Sequence, residues 1–170
     1  MACERAEGIH RTAGAAARRV SAERRAAVTE VDFYVAGSDS EDARLKVACR
    51  LCDEAMQRSR HVFVNAASDL DAGRLDELLW TLIQGSFIPH KVLRNGGPPP
   101  PEPVLIGVQL EPVGERWDLL INLAAEVPEF FSRYERVAEI VDGNAARREQ
   151  SRERYRFYRD RGYKLNTHQV

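Results

Sequence analysis

The densest run of chemically capable side chains in this sequence lies near its end, from Arg147 through Arg148, Glu149, Arg152, Glu153, Arg154, Tyr155, Arg156 and Tyr158 to Arg159. At about 100° per residue of an α-helix, Arg148, Arg152, Tyr155, Arg156 and Arg159 fall within an arc of about 100°. Four cations therefore surround one aromatic ring on a single face. Guanidinium groups bind carboxylates and phosphates through a planar fork, and a tyrosine among them can stack on another ring. An acidic peptide and single-stranded nucleic acid both fit that chemistry. Charge runs on helices are more often solvated surface than sites, and Glu149, Glu153 and Asp160 lie close enough in sequence to pair with some of these arginines. The helical wheel sets those acids on the opposite side, which leaves the cations to an external anion.

The remaining reactive residue types make weaker cases. Cys49 and Cys52 form a CxxC spacing, but a zinc site needs two further ligands and a redox pair would sit at a helix N-terminus. Both cysteines fall inside a helical pattern, Cys52 on its apolar stripe, and read as small buried hydrophobes. His10, His61, His90 and His168 are scattered and match no nucleophile elbow or zinc-binding helix. The first strand-to-helix loop, Ala36-Gly37-Ser38-Asp39-Ser40, has neither the three-glycine dinucleotide pattern nor a glycine-lysine phosphate loop. No cofactor or metal is expected. Trp80 and Phe87 are either core or an exposed pair that anchors a protein partner.

These residues need elements to hold them. Val31 to Val35 is short, β-branched and aromatic, and Ser38 with Glu41 forms a capping-box pattern, so a strand enters a helix predicted from about Glu41 to Arg58. A second strand follows at His61 to Asn65, then a helix from about Asp69 to Gln84 with Asp69 or Ser68 as its cap. Phe87 to His90 and Asn95 to Pro103 read as loop, because the Gly pair and the proline run forbid regular structure. Val104 to Val108, Leu119 to Leu123 and Arg136 to Val141 read as buried strands. Asp142-Gly143-Asn144 turns the chain into the arginine-bearing helix, about Ala145 to Arg161, closed by Gly162. Strands alternating with helices predict an α/β layered, Rossmann-like domain with a largely parallel or mixed sheet flanked by helices. Strand order stays open.

At 170 residues and 44 % hydrophobic content the chain can bury one core, so residues 31–170 are expected to form one domain. Residues 1–30, rich in Ala, Arg and Glu, read as a disordered extension. The three cysteines are too few for a disulfide framework, and no apolar run suits a membrane span or a secretory signal, which points to the cytoplasm. Net charge is only −1, unlike that of a protein that coats nucleic acid. The average conceals segregation: residues 31–141 carry 11 basic against 18 acidic side chains, and residues 142–170 carry eight against four. An acidic body with a basic end points to a local partner surface, and with so short a stripe it favours a peptide over a nucleic acid.

Four separated motifs then fall in a recognisable order: Val31-Asp32-Phe33-Tyr34; Arg74-Leu75-Asp76-Glu77-Leu78-Leu79-Trp80; Gly85-Ser86-Phe87-Ile88-Pro89-His90; and Arg152-Glu153-Arg154-Tyr155 through Leu165-Asn166-Thr167. Together they resemble the chi subunit of the bacterial DNA polymerase III holoenzyme over about Val31 to His168. The resemblance implies an accessory subunit without catalytic activity, linking the psi subunit of the clamp loader to the acidic C-terminal tail of single-stranded DNA-binding protein, which ends in a phenylalanine carboxylate. Contact with DNA would then be indirect, with direct single-stranded nucleic-acid binding as the alternative. The positions matching the family's tail site are Val141, Arg148, Arg152, Tyr155, Arg156 and Arg159. Those matching its patch for psi, and in some members for a partner similar to repair helicases, are Trp80 and Phe87. The sequence departs from the family pattern in its first 30 residues, in the proline run Pro98 to Pro101, and in Arg156 where lysine is common.

Overall fold

The computed structural model describes residues 28–38, 40, 42–82, 87–95, 100–110 and 118–170. Within them lie seven strands: β1 (Glu30–Val35), β2 (Val62–Asn65), β3 (His90–Val92), β4 (Val104–Gly107), β5 (Leu119–Asn122), β6 (Arg136–Val141) and β7 (Lys164–Gln169). Three helices connect them: α1 (Ala43–Gln57), α2 (Asp69–Thr81) and α3 (Ala145–Asp160). The strands form one sheet in the order β3-β4-β2-β5-β6-β1-β7, and every neighbouring pair is parallel. The expected α/β layering is present, and the sheet is wholly parallel.

Parallel pairing requires crossovers, and the crossovers place helices on both faces. Alternation along the strands then divides the core in two. Val62, Val64, Val104, Ile106, Ile121, Ala138 and Ile140 face α1 and α2 together with Leu45, Ala48, Leu51, Leu75 and Leu79. Val31, Phe33, Phe63, Leu105, Leu120 and Val137 face α3 and the short 3-10 turn at Phe131–Arg133, with Phe131, Tyr134 and Tyr158 filling the space. The central strands read as unbroken apolar runs because both of their faces are covered.

Element ends follow local chemistry. Ser68 caps α2, its hydroxyl accepting the Asp71 N–H at 3.2 Å. Asn144 caps α3, its side-chain oxygen accepting the Arg147 N–H at 3.1 Å. Gly162, at φ +79°, closes α3: its N–H reaches Arg159 O at 3.0 Å and the Tyr163 N–H reaches Tyr158 O at 3.1 Å, the paired bonds of a left-handed helix stop. At α1 the expectation of a cap at Ser38 is corrected. The boundary residue is Asp42, without a side-chain cap bond, and the Ser38 hydroxyl instead accepts the Ser40 N–H at 3.2 Å. Glu41, Gln84, Gly85 and residues 1–27 of the expected extension lie outside the described residues.

Two strands were not expected. His90–Val92, of which His90 reads as loop and Lys91 and Val92 carry no assignment, pairs with β4 at one edge of the sheet. Lys164–Gln169 pairs with β1 at the other edge, and Thr29 is tied to the sheet's lower rim through its hydroxyl and the Tyr134 carbonyl at 2.7 Å. Side chains on the α1 face pin β7 to β1: the buried Asp32 carboxylate accepts from Asn166 at 2.9 Å, lies 3.1 Å from His168 Nε2, and takes Arg136 of β6 at 2.6 Å. Burial raises the Asp32 carboxyl, but the bonds from Asn166 and His168 and the Arg136 charge outweigh it and hold the group below its ordinary 3.8.

A lowered folded-state pKa contributes stability that is complete above the unfolded value and lost as pH falls through the folded one. Asp32→Asn should therefore flatten the acid limb of the stability curve below about pH 4, read by urea melts of both proteins between about pH 6 and pH 2; parallel limbs would contradict the network. Cys49 and Cys52 are buried inside α1, and burial pushes the Cys49 thiol up to about 12 and Cys52 well above its ordinary value. In a Cys3→Ser background both thiols should resist a thiol reagent at about pH 8 and react together only on unfolding, because the thiolate is the reacting species.

Candidate functional site

One lateral row of residues crosses the sheet beneath α3. Strand register aligns Gly107, Asn65, Asn122, Glu139, Phe33 and Thr167 on six adjacent strands, and all lie on the α3 face. The middle of the row is polar and fully enclosed. Glu139 and Asn122 have no solvent contact. Arg154 Nε donates to Glu139 Oε2 at 2.7 Å, the Tyr158 hydroxyl donates to Oε1 at 2.8 Å, and Asn122 Nδ2 donates to both oxygens at 3.1 and 3.3 Å. Asn65 Nδ2 donates to Asn122 Oδ1 at 3.0 Å, and Arg154 also donates to the Ala125 carbonyl at 2.9 Å. Burial, the Glu139 charge and the hydrogen bond to it all push the Tyr158 hydroxyl upward, so it remains a proton donor.

This network decides which way α3 faces. Arg154 and Tyr158, one turn apart, are held to the sheet together with Ser151. Arg148, Arg152, Arg156 and Arg159 are therefore turned to solvent, and Tyr155, at 38 % exposure, sits at the seam. The Tyr155 ring meets Phe33 edge-on with centroids 5.2 Å apart. Phe157, on the other flank of the helix, packs on Phe131, whose 3-10 turn follows β5. The stripe consequently leans toward β1 and β7. The next lateral row up the sheet is Val141, Val35 and Gln169, and both valines are half-buried. Val141 packs against the α3-side core, so an apolar sheet floor borders the arginines. Beyond it, the buried Asp142 carboxylate is held by Arg147 at 2.6 Å and anchors the start of α3.

The expectation that the acids of α3 point away from the stripe is corrected. Arg152 pairs with Glu149 at 2.8 Å and Arg159 with Asp160 at 2.8 Å, all four side chains more than half exposed. On the wheel Glu149 lies about 60° from Arg152, an i,i+3 neighbour within reach of a long side chain. Arg148 and Arg156 have no carboxylate partner among the described residues. Exposed pairs of this kind contribute about 0–1 kcal/mol, so an incoming carboxylate can displace them at small cost.

Trp80 and Phe87 form a second, separate surface at the β3 edge. Their rings lie 5.2 Å apart and are 57 % and 66 % exposed. Beneath them the His90 ring, with its side chain fully enclosed, meets Trp80 edge-on at 5.1 Å. His90 Nδ1 donates to the Ile88 carbonyl at 2.7 Å, and its Nε2 lies 3.2 Å from Asp76 without the alignment of a hydrogen bond. Sequence reasoning passed over Glu139, Asn122, Asn65 and Arg154. A signal was available: Glu139 interrupts the apolar run Val137-Ala138-Glu139-Ile140-Val141, and Arg154 and Tyr158 have the one-turn spacing that meets it. Among the described residues no cluster of His, Cys, Asp and Glu could hold a metal ion, and no helix is long and apolar enough to cross a membrane.

Residues 28–166 match the family model described as DNA polymerase III chi subunit, HolC. The chain is 40 % identical to the DNA polymerase III subunit chi of Pseudomonas aeruginosa over 143 residues, which are 84 % of this chain and 98 % of that protein. It is 30 % identical to the Haemophilus influenzae subunit chi over 138 residues, 81 % of this chain and 95 % of that protein, and 30 % identical to the Escherichia coli subunit chi over 139 residues, 79 % and 94 %. The chain belongs to the chi subunit family, accessory subunits of DNA polymerase III.

Removing one partner of a buried ion pair leaves the other uncompensated, at a cost of roughly 3–5 kcal/mol. Glu139→Ala should lose stability on that scale in urea unfolding, whereas Arg148→Ala on the same helix should change it by less than about 0.5 kcal/mol.

Proposed function

We propose that this chi-family chain is a non-catalytic adaptor of the replicative polymerase, joining the psi subunit of the clamp loader to the C-terminal tail of single-stranded DNA-binding protein, through which it meets DNA indirectly. The observation that carries the reading is the seam at Tyr155, where an aromatic ring, the Val141 and Val35 floor and a face of arginines adjoin. A peptide that ends in a phenylalanine offers the three matching groups: an apolar ring, a terminal carboxylate and upstream acids. The ring is buried near Val141 and Tyr155, the carboxylate takes charge-assisted hydrogen bonds from Arg152 or Arg156, and the upstream acids meet remaining arginines of the stripe. The upstream charges chiefly raise the association rate.

The exposed Trp80 and Phe87 pair is the surface assigned to psi, or to a helicase partner in its place, since paired exposed aromatic rings are the usual anchors of a protein interface. It lies at the opposite edge of the sheet from the stripe, so the two partners do not compete for space.

A labelled peptide ending in Asp-Phe-Pro-Phe should bind the wild type, and Arg152→Ala should weaken it about ten-fold or more, the loss of one charge-assisted hydrogen bond. Affinity should also fall with added salt. Equal binding by the two proteins would remove the site assignment, and tight oligonucleotide binding by the chain alone with a steep salt slope would favour direct nucleic-acid recognition. Trp80→Ala with Phe87→Ala should abolish co-purification of psi while leaving the peptide affinity unchanged.

A further inference from the structure

The exposed aromatic pair at the β3 edge continues along α2. At about 100° per residue, Leu70, Gly73, Glu77 and Trp80 fall within an arc of about 80° on the outer side of that helix. Asp69 and Asp76 lie on the flank nearest β3, where Asp76 approaches His90. Leu70 and Trp80, at 67 % and 57 % exposure, mark the ends of this face about 15 Å apart, and Phe87 extends it beyond Trp80. Asp71, Ala72, Leu75 and Leu79 form the buried side of the helix, where Asp71 is held by Arg44.

Two features of this face have no reason inside the chain. Gly73 stands within a 13-residue helix, where glycine is less favourable than alanine because its backbone loses more freedom on folding. A Cβ built there would meet nothing within 4 Å, so neither internal packing nor a turn requires the glycine. Bare backbone on an exposed helical face suits the close approach of a second helix. The other feature is charge. Asp69, Asp76 and Glu77 place three carboxylates here, and the only cation of α2, Arg74, lies about 120° round the helix from Trp80. Asp69 and Glu77 have no cationic partner among the described residues, and Asp76 reaches His90 Nε2 without an aligned hydrogen bond. We propose that this face takes a cationic helix of the psi subunit, crossing α2 at Gly73. This rests on the reading of Trp80 and Phe87 as the psi surface and adds the chemistry of the partner. A small side chain of the incoming helix sits on Gly73, where the axes can approach to about 8 Å. Its apolar side chains cover Leu70, Trp80 and Phe87, and its lysines or arginines meet Glu77, Asp76 and Asp69. An acidic partner would meet three carboxylates, so charge complementarity selects a basic one.

Titration of purified psi into the full-length chain separates the parts. Gly73→Ala should raise the urea midpoint, because alanine is the better helix former, and yet weaken psi about ten-fold; a purely structural residue would move both in the same direction. Asp76→Asn with Glu77→Gln should weaken psi about ten-fold and flatten the fall of its affinity with added salt. Glu77→Gln alone, at an exposed position clear of His90, decides the charge arm if the double variant does not fold. The Asp-Phe-Pro-Phe peptide should bind all of these variants as it binds the wild type. Unchanged psi affinity in either the Gly73→Ala arm or the charge arm overturns the proposal, and if Trp80→Ala with Phe87→Ala still abolishes binding, the psi surface survives without it. Should that aromatic double variant bind psi as wild type does, the psi surface itself fails. Loss of the peptide together with psi would also overturn the proposal, since the defect would then belong to the fold.

Discussion

A carboxylate with no access to water is unfavourable unless donors replace its hydration, and Glu139 is met by donors from Arg154, Tyr158 and Asn122. The rest of the candidate site depends on that exchange. Hydrophobic packing alone would let α3 rotate by some tens of degrees over a floor of valine, phenylalanine and leucine, since apolar contact has no direction. Hydrogen bonds do have direction, and two from residues one turn apart fix both the rotation and the axial position of a helix. With Arg154 and Tyr158 committed to the sheet, the remaining arginines have only the outer surface to occupy, and Tyr155 is left beside Phe33. A polar network inside the core thus positions a charged face outside it.

The same sheet separates its two exposed features. Trp80 packs on His90, the first residue of one edge strand, and carries Phe87 beside it, while the stripe leans toward the other edge. Six strand spacings of about 4.8 Å put the edges about 29 Å apart. A rigid parallel sheet buried on both faces has little freedom to bring them closer, so occupancy of one surface need not disturb the other. Such a body suits a bridge better than a switch. One continuous parallel sheet runs between its two surfaces, and coupling between sites requires an element with two arrangements.

Much of this was legible in the sequence because the central strands and helices carry their period openly. Val62 to Asn65 and Leu119 to Asn122 are apolar runs between turn residues, and α3 advertises its charged face through spacing alone. The edge strands were not legible, for a physical reason. An edge strand need not be apolar on either face, and Lys164-Leu165-Asn166-Thr167-His168-Gln169 holds one large apolar residue, while His90-Lys91-Val92 is too short to show a period. The stripe was visible, and so was its pairing, since at about 100° per residue Glu149 falls only about 20° beyond Arg156 at the edge of the stripe rather than opposite it. Glu139 was hidden inside a strand that otherwise reads as core.

The pairing bears on what the stripe can recognise. Four unpaired guanidinium groups would attract any polyanion, and nucleic acid presents the greatest charge density available. Here Glu149 and Asp160 sit at the edge of the stripe and partly cancel its field, leaving Arg148 and Arg156 as the positive centres without a carboxylate partner among the described residues. A long phosphate backbone crossing this face must pass both acids and gains little from the arginines they hold. A short peptide terminus needs only one or two strong contacts and a place for its ring, and it can displace an exposed ion pair for about 1 kcal/mol or less. Acids placed this way cost a phosphate backbone more than they cost a single peptide carboxylate, a form of selectivity built from repulsion as well as attraction.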